Sequence, residues 1–459
     1  VNKMISPMII AVLVILLAVS TLFVYLESDQ GADTILTYHE PEQVPSITIL
    51  WAKWKPADYF QQLVDEFTAE TGIQVKIVQH PWKDIQRHFF SEMEVKSQRY
   101  DMVIGDSQWL GYGSKNGHYS NLTRWIEQHH VNDRFIQTAM SSYAEYPKAS
   151  NRYWAIPLEC DAMGFAYRKD LFEDNQEKRA FLQRYGYALD IPATWSQLKD
   201  IAEFFNRPTE DFWGLLAWRT AHYDGLTMAI QPLIWAWGAD LGNKQTFQIR
   251  GILNNAAATS ALAFYKQLAA FQNPEWKNYY LDSGRSSHKP LIEGKVAMSM
   301  VYFATSAELT SPAKNKLANN IGFFAAPAGP VSRATSLGGQ GISIISYSKK
   351  KAYSFRLLKW LLRSQVQERW SELGGLSCGI HALNSKKRLT TSPMHKAFSE
   401  SLTFARDYWA VPEYAELLAL SQQHWDKYLT TDDISAKDTL DNLTTDWENL
   451  FEYHGYYKE

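Results

Sequence analysis

The sequence predicts an α/β protein of two lobes, on three observations. Its 459 residues exceed the size at which a single core usually divides. After residue 46 the N-terminal part alternates buried-strand patterns with helical ones, the mark of crossover connections in an α/β lobe. The region 160–290 is mostly helical by pattern, and a strand pattern beyond it leads back towards the first lobe.

Taken in order, the chain begins with a membrane signal. Met8 to Tyr25 is almost wholly apolar, Lys3 precedes it, and Glu27, Asp29 and Asp33 follow it, a bias that puts the N-terminus in the cytoplasm and the rest outside. The run falls between a long secretory signal and a short span, since a bilayer core asks for about 20 residues. Residues 1–26 are therefore read as a signal sequence or an N-terminal membrane anchor, and the acidic, aperiodic residues 27–46 as a tether. Ala18-Val19-Ser20 is a poor cleavage match inside the apolar run, and no cysteine follows to accept lipid, which favours the uncleaved anchor.

Ile47-Thr48-Ile49-Leu50-Trp51 reads as a buried strand. Pro56 then opens a helix with Phe60, Leu63, Val64 and Phe67 at helical spacing, stopped by Gly72. Ile73, Val75 and Ile77 alternate as a second strand, Trp82 to Gln98 is a charged helical stretch, and Asp101 to Gly105 is a third buried strand. Open sheets of this kind bind ligands beyond the carboxyl ends of their strands, so the loops starting at Trp51, His80 and Gly105 are site candidates by topology. Further on, Thr194 with Gln197 three residues later forms a capping box that opens a helix to Phe205. A helix from Ala257 to Phe271 and a strand from Lys295 to Met300 follow. Gly338, Gly339 and Gly341, which let the backbone come close to a ligand or a neighbouring element, lead into a strand at Ile342–Ile345. The helix after it carries Phe355, Leu358, Leu361 and Leu362 on one face, and a second, with Val366, Trp370 and Leu373, ends at Gly374-Gly375.

Composition excludes some functions. Hydrophobic residues make up 46% and charged residues 21%, and a formal net charge of -3 lacks the basic field that nucleic acid requires, so no nucleic-acid partner is expected. The excess lies in aromatics, 14% with 17 Trp and 25 Tyr, whose flat apolar faces suit sugar stacking although most must fill cores. The two cysteines, Cys160 and Cys378, are too few for a disulfide framework or a zinc site, and sequence alone does not place their Cα atoms within bridging distance.

Six segments together carry a resemblance. They are WAKWKPADYFQQLVDEFTAETGIQVKI, DMVIGDSQWLG, YWAIPLECDAMGFAYRKDLFED, PATWSQL, EGKVAMSMVY, and the stretch from Ala334 to Leu383. In this order and spacing, from about Ile47 to Leu383, the chain resembles the family 1 extracellular solute-binding proteins, the maltose-binding-protein-like sugar-binding components of ATP-driven (ABC) importers. The resemblance implies a two-lobe periplasmic binding protein fold with an interlobe ligand cleft and a crossing-strand hinge. It puts the first crossing near Ala155–Asp161 and the second near Met298–Tyr302. The implied lobes are 47–154 plus 303–348, and 155–302 plus 349–459. Where the family usually has proline after Gly-Gly-Leu, Ser377-Cys378 stands here.

A sugar site needs aromatic faces and carboxylate or amide groups that bind pairs of hydroxyls. Asp106, Gln108 and Trp109, directly after the third strand, supply both kinds, and Asp106 and Gln108 are assigned to ligand rather than to helix capping. Trp51 and Trp54 serve either as core or as stacking faces. Glu159 and Asp161, on the implied first crossing, serve either ligand or a hinge salt bridge. Gly338, Gly339 and Gln340 either present backbone amides to ligand or form a turn needing positive φ. Tyr302, Phe303, Trp235 and Trp237 are further stacking candidates.

Nucleophile-elbow, phosphate-loop and zinc-protease motifs are missing, and neither catalytic residues, metal nor cofactor are expected. The leading expectation is a monomeric, extracytoplasmic (periplasmic) binding protein, either tethered to the inner membrane through residues 8–25 or secreted after cleavage. It would take a carbohydrate or polyol and hand it to ABC permease subunits. A membrane-held carbohydrate-active enzyme and a ligand-presenting sensory subunit are the alternatives.

Overall fold

The computed structural model describes residues 44–278, 288–386 and 394–457. The apolar run 8–25 and the tether up to residue 43 lie outside the described residues. Among the described residues no helix is long and apolar enough to cross a membrane.

Two mixed sheets organise the chain. The first has five strands in the order β2 (Gln74–His80), β1 (Ser46–Ala52), β3 (Met102–Asp106), β10 (Gln340–Ile344) and β4 (Ile156–Glu159). β1 pairs in parallel with β2 and β3, and β10 runs antiparallel to both β3 and β4. The second has four, in the order β6 (Trp213–Leu216), β7 (Val296–Tyr302), β5 (Met163–Arg168) and β8 (Ile321–Ala325). β9 (Thr335–Ser336) and β11 (Ala405–Arg406) make a short parallel pair.

The predicted βαβαβ start is present because its pattern is unambiguous. Helix Lys55–Thr71 begins with Pro56 in its first turn and buries Pro56, Ala57, Phe60, Leu63, Val64 and Phe67. It ends where Gly72, at φ +73°, takes the left-handed conformation and returns its N–H to the Thr68 carbonyl. The next helix covers Trp82–Glu94, shorter than the predicted stretch because Lys96 turns the chain at φ +47°. Helix Trp195–Phe204 carries the expected capping box: Thr194 accepts from the Gln197 N–H while the Gln197 side chain accepts from the Thr194 N–H. Thr194→Ala should lower stability by about 1 kcal/mol in urea unfolding, with an unchanged slope, because it strips a partner from an N-terminal amide.

Strand pairing departs from the implied lobe boundaries. β7 has neighbours on both sides within the four-stranded sheet, so Met298–Tyr302 is not a return to the first sheet. β8, implied for the first lobe, pairs along its whole length with β5. The return comes at Ser336–Gln340 instead. Helix Ser364–Leu373, implied for the second lobe, packs on helix Lys55–Thr71, and Lys351–Leu361 packs on β1. A strand that is buried on both faces reads alike in either sheet, so its neighbours are settled by tertiary packing and not by its own pattern.

Candidate functional site

The carboxyl ends of β1, β2 and β3 and the loops after β6 and β7 bring rings and carboxyl groups together. From the first lobe, Trp51 lies one residue before the end of β1, and Trp54 meets it edge to face at 5.8 Å. Trp82, two residues past β2, meets Trp54 edge to face at 5.3 Å. From the second lobe, Tyr223 lies 5.4 Å from Trp82. A run of rings therefore passes from one lobe to the other. Within the core of the four-stranded side, Trp218 stacks on Tyr302, 5.0 Å apart and inclined by 30°.

The polar groups bridge the same boundary. The Tyr223 hydroxyl donates to Asp106 Oδ2 at 2.6 Å and accepts from Gln108 Nε2 at 2.8 Å. Ser107 Oγ donates to Asp407 Oδ1 at 2.9 Å, tying the β3 loop to the chain just after β11. Tyr408 donates to Asp224 Oδ2 at 2.7 Å. Tyr223 holds its position at φ +55°, a left-handed conformation that a tyrosine adopts only when its surroundings enforce it.

Electrostatics follow from burial. Asp106 is pushed up to about 7, first by desolvation and then by the Asp224 charge, against the hydrogen bonds from Tyr223 and Gln108. Asp407 is raised by desolvation and pulled back by the Lys148 charge. Several polar atoms here are buried with no hydrogen-bond partner among the described residues: Trp54 Nε1, Trp82 Nε1, Gln108 Oε1 and Asp407 Oδ2. They amount to two donors and two acceptors, the complement of a hydroxyl-rich guest. Also among the described residues, no three His, Cys, Asp or Glu side chains gather in a way that could hold a metal ion.

Residues 53–368 match the family signature described as bacterial extracellular solute-binding protein. The chain belongs to that family. A relative from Deinococcus radiodurans, described as a probable ABC transporter-binding protein, is 24% identical over 316 residues, 66% of this chain and 69% of that one. Among solved structures, an ABC transporter solute-binding protein of Agrobacterium radiobacter K84 in complex with ribitol superposes with a TM-score of 0.75 at 20% identity, covering 89% of this chain and 99% of that one. Maltose-bound MalE3 of T. maritima superposes with a TM-score of 0.74 at 19% identity, covering 88% and 99%. These likenesses show the two-lobe fold.

In this solute-binding protein the residues singled out from sequence fall into three groups. Trp54, Asp106, Gln108 and Tyr302 lie at the interlobe boundary, and Trp51 backs them, its indole N–H bonded to Gln340 Oε1 at 2.6 Å. Glu159, Asp161, Gly338 and Gly339 form the crossing. Glu159 is buried and accepts from the Leu376 N–H at 3.1 Å. Asp161 accepts from the Ala162 and Ala304 amides, and desolvation holds its carboxyl well above the usual range. The Gly338 amide donates to the Asp161 carbonyl and the Gly339 amide to the Tyr143 hydroxyl, so both are engaged within the protein and not presented to a guest. Neither glycine has positive φ; what each needs is room, since a Cβ would fall 2.4 Å from the Tyr302 ring or 2.3 Å from that of Tyr143.

The third group is packing. Trp109 stacks flat on Phe89 at 4.7 Å, and Phe303 sits in the core against Phe323 and Phe398. Trp235 lies within helix Gly225–Ala236 with its indole on Asp240, and Trp237 packs on Phe264.

Sequence reasoning missed Trp82, Trp218, Tyr223, Asp224, Asp407 and Tyr408. The strand-end rule that flagged the His80 loop covers Trp82, and applied to Trp213–Leu216 it would have flagged Trp218, Tyr223 and Asp224 as well. Asp407 and Tyr408 carry no local signal, because their approach to Ser107 and Asp224 depends on how the C-terminal segment crosses the fold.

Proposed function

We propose that this solute-binding protein captures a neutral sugar, oligosaccharide or polyol between its lobes and delivers it to ABC permease subunits. The observation that carries this reading is the set of rings Trp54, Trp82 and Tyr223 beside Asp106 and Gln108, with indole donors, an amide oxygen and a carboxylate oxygen unsatisfied by protein. Rings take the apolar face of a pyranose or the carbon chain of a polyol, while carboxyl and amide groups take its hydroxyls. The ribitol and maltose complexes of structurally similar proteins support the same ligand class.

The lobes we propose follow the sheets: 45–159 with 337–386 on the five-stranded sheet, and 163–336 with 394–457 on the four-stranded one. Ligand that touches both lobes favours the closed arrangement by its differential affinity. The protein acts outside the cytoplasm as a monomer, held at the membrane or released by its N-terminal segment, and binds without making or breaking bonds.

A thermal-shift series with ribitol, mannitol, maltose and maltotetraose tests the ligand class. A true ligand at 100 times its Kd stabilises the fold by about 2.7 kcal/mol and raises the melting temperature. If an amino acid or peptide stabilises the protein and none of these compounds does, the ligand class is wrong. Product accumulating from maltotetraose would instead favour the enzyme.

A further inference from the structure

Two buried cysteines lie close to the first crossing between the sheets. Cys160 stands between β4 and β5, and Cys378 follows helix Ser364–Leu373; both are fully buried free cysteines. Backbone contacts bring them together. The Cys160 N–H donates to the Leu376 carbonyl at 2.6 Å, and the Leu376 N–H donates to the Glu159 carboxylate at 3.1 Å. The Trp370 indole donates to the Leu158 carbonyl at 3.1 Å, and the Cys378 carbonyl accepts from the Ile136 N–H at 3.1 Å. Cys378 thus lies two residues beyond Leu376, whose carbonyl takes the Cys160 N–H, and both cysteines belong to the same buried core.

We propose that Cys160 and Cys378 are joined by a disulfide in the exported protein, a covalent staple between the first crossing and the segment 374–379. This rests on the extracytoplasmic reading above, because disulfides persist in oxidising compartments and are rare in the cytosol. The oxidant is a disulfide, small or carried by a protein. One cysteine thiolate attacks it, forming a mixed disulfide and releasing one reduced thiol. The second thiolate attacks the cysteine sulfur of that mixed disulfide, closing the Cys160–Cys378 bond and releasing a second reduced thiol. Two electrons pass to the oxidant, and the two thiol protons end on the released thiols. Since both sulfurs are closed off in the folded chain, the exchange takes place before the core is complete.

The staple closes a loop of roughly 200 residues, where the unfolded-chain entropy removed is large. It does not span the ligand cleft, because Cys378 is anchored through Ile136 and Leu376 to elements of the first lobe. Ligand affinity is therefore expected to be the same in the oxidised and reduced forms, which separates this proposal from the ligand reading.

The test is to refold the full chain in a glutathione buffer rich in the oxidised form and, in parallel, with a strong reductant, then alkylate and map peptides by mass spectrometry. The expected result is one cross-linked peptide pair containing Cys160 and Cys378, and a melting temperature about 5 °C or more above that of the reduced chain. In Cys160→Ser and Cys378→Ser the difference between the two buffers should vanish, a comparison within each variant that is independent of any change the serine makes to the fold. Two alkylated thiols after oxidising refolding, stable glutathione adducts on either residue, or a cross-linked chain that melts no higher than the reduced one would each overturn the proposal on its geometry. A disulfide that forms in the tube but is absent from protein recovered from the envelope of cells would overturn it on location.

Discussion

Replacing Tyr223 with phenylalanine is expected to weaken ligand binding about 10- to 100-fold while leaving the fold intact. One hydroxyl oxygen joins the loop after β3 to the loop after β6, donating to Asp106 and accepting from Gln108. Removing it leaves Asp106 Oδ2 and Gln108 Nε2 with each other at 3.3 Å but without the shorter bonds to the Tyr223 oxygen inside the closed site, whereas in an open arrangement water would take its place. The loss therefore falls on the closed state and appears in affinity more than in folding, because closure is the step that buries these groups. Titration calorimetry with the sugar or polyol that gives the largest thermal shift is the measurement. An affinity within twofold of the natural protein would show that this bridge does not hold the lobes together.

The second large effect concerns pH. Asp106 is raised in the folded chain to about 7, where an unfolded chain has it near the ordinary value of 3.8. Between those limits the folded state holds a proton that the unfolded state has released. Stability from this group is therefore full at low pH, falls as pH rises through that window, and is level above about 7. This is opposite in sign to the usual carboxylate, whose pairing lowers its pKa. Asp106→Asn, which keeps the shape and cannot ionise, should remove the slope. Going from pH 4.5 to 7.5 the variant should gain about 3 kcal/mol relative to the natural protein in urea unfolding. Parallel stabilities across that range would mean that Asp106 is ionised throughout in the folded chain.

The parts of the fold legible in sequence are those where one local rule dominates. The face Phe60, Leu63, Val64 and Phe67, the Gly72 stop and the Thr194–Gln197 box all needed only neighbours within a few residues. The site was legible to the same depth. Asp106 and Gln108 of the candidate site stand out because they follow a strand pattern directly, and of the readings open for the glycines at 338 and 339, close approach to a neighbouring element is the one the structure has, to Tyr302 and Tyr143, and positive φ is not. Trp109 and Phe303 were misjudged because an aromatic ring at a strand end looks the same in sequence whether it faces a cleft or a core.

By itself the sequence determined the family, the α/β alternation and one wall of the candidate site, since hydrophobic period, caps and strand-end chemistry are written in adjacent residues. Only the tertiary structure decided that β8 joins the second sheet, that Tyr223 reaches Asp106, and that Asp407 reaches Ser107. Each of those pairs residues distant along the chain, and their meeting is chosen by the free energy of packing whole sheets and helices together, which no local pattern encodes.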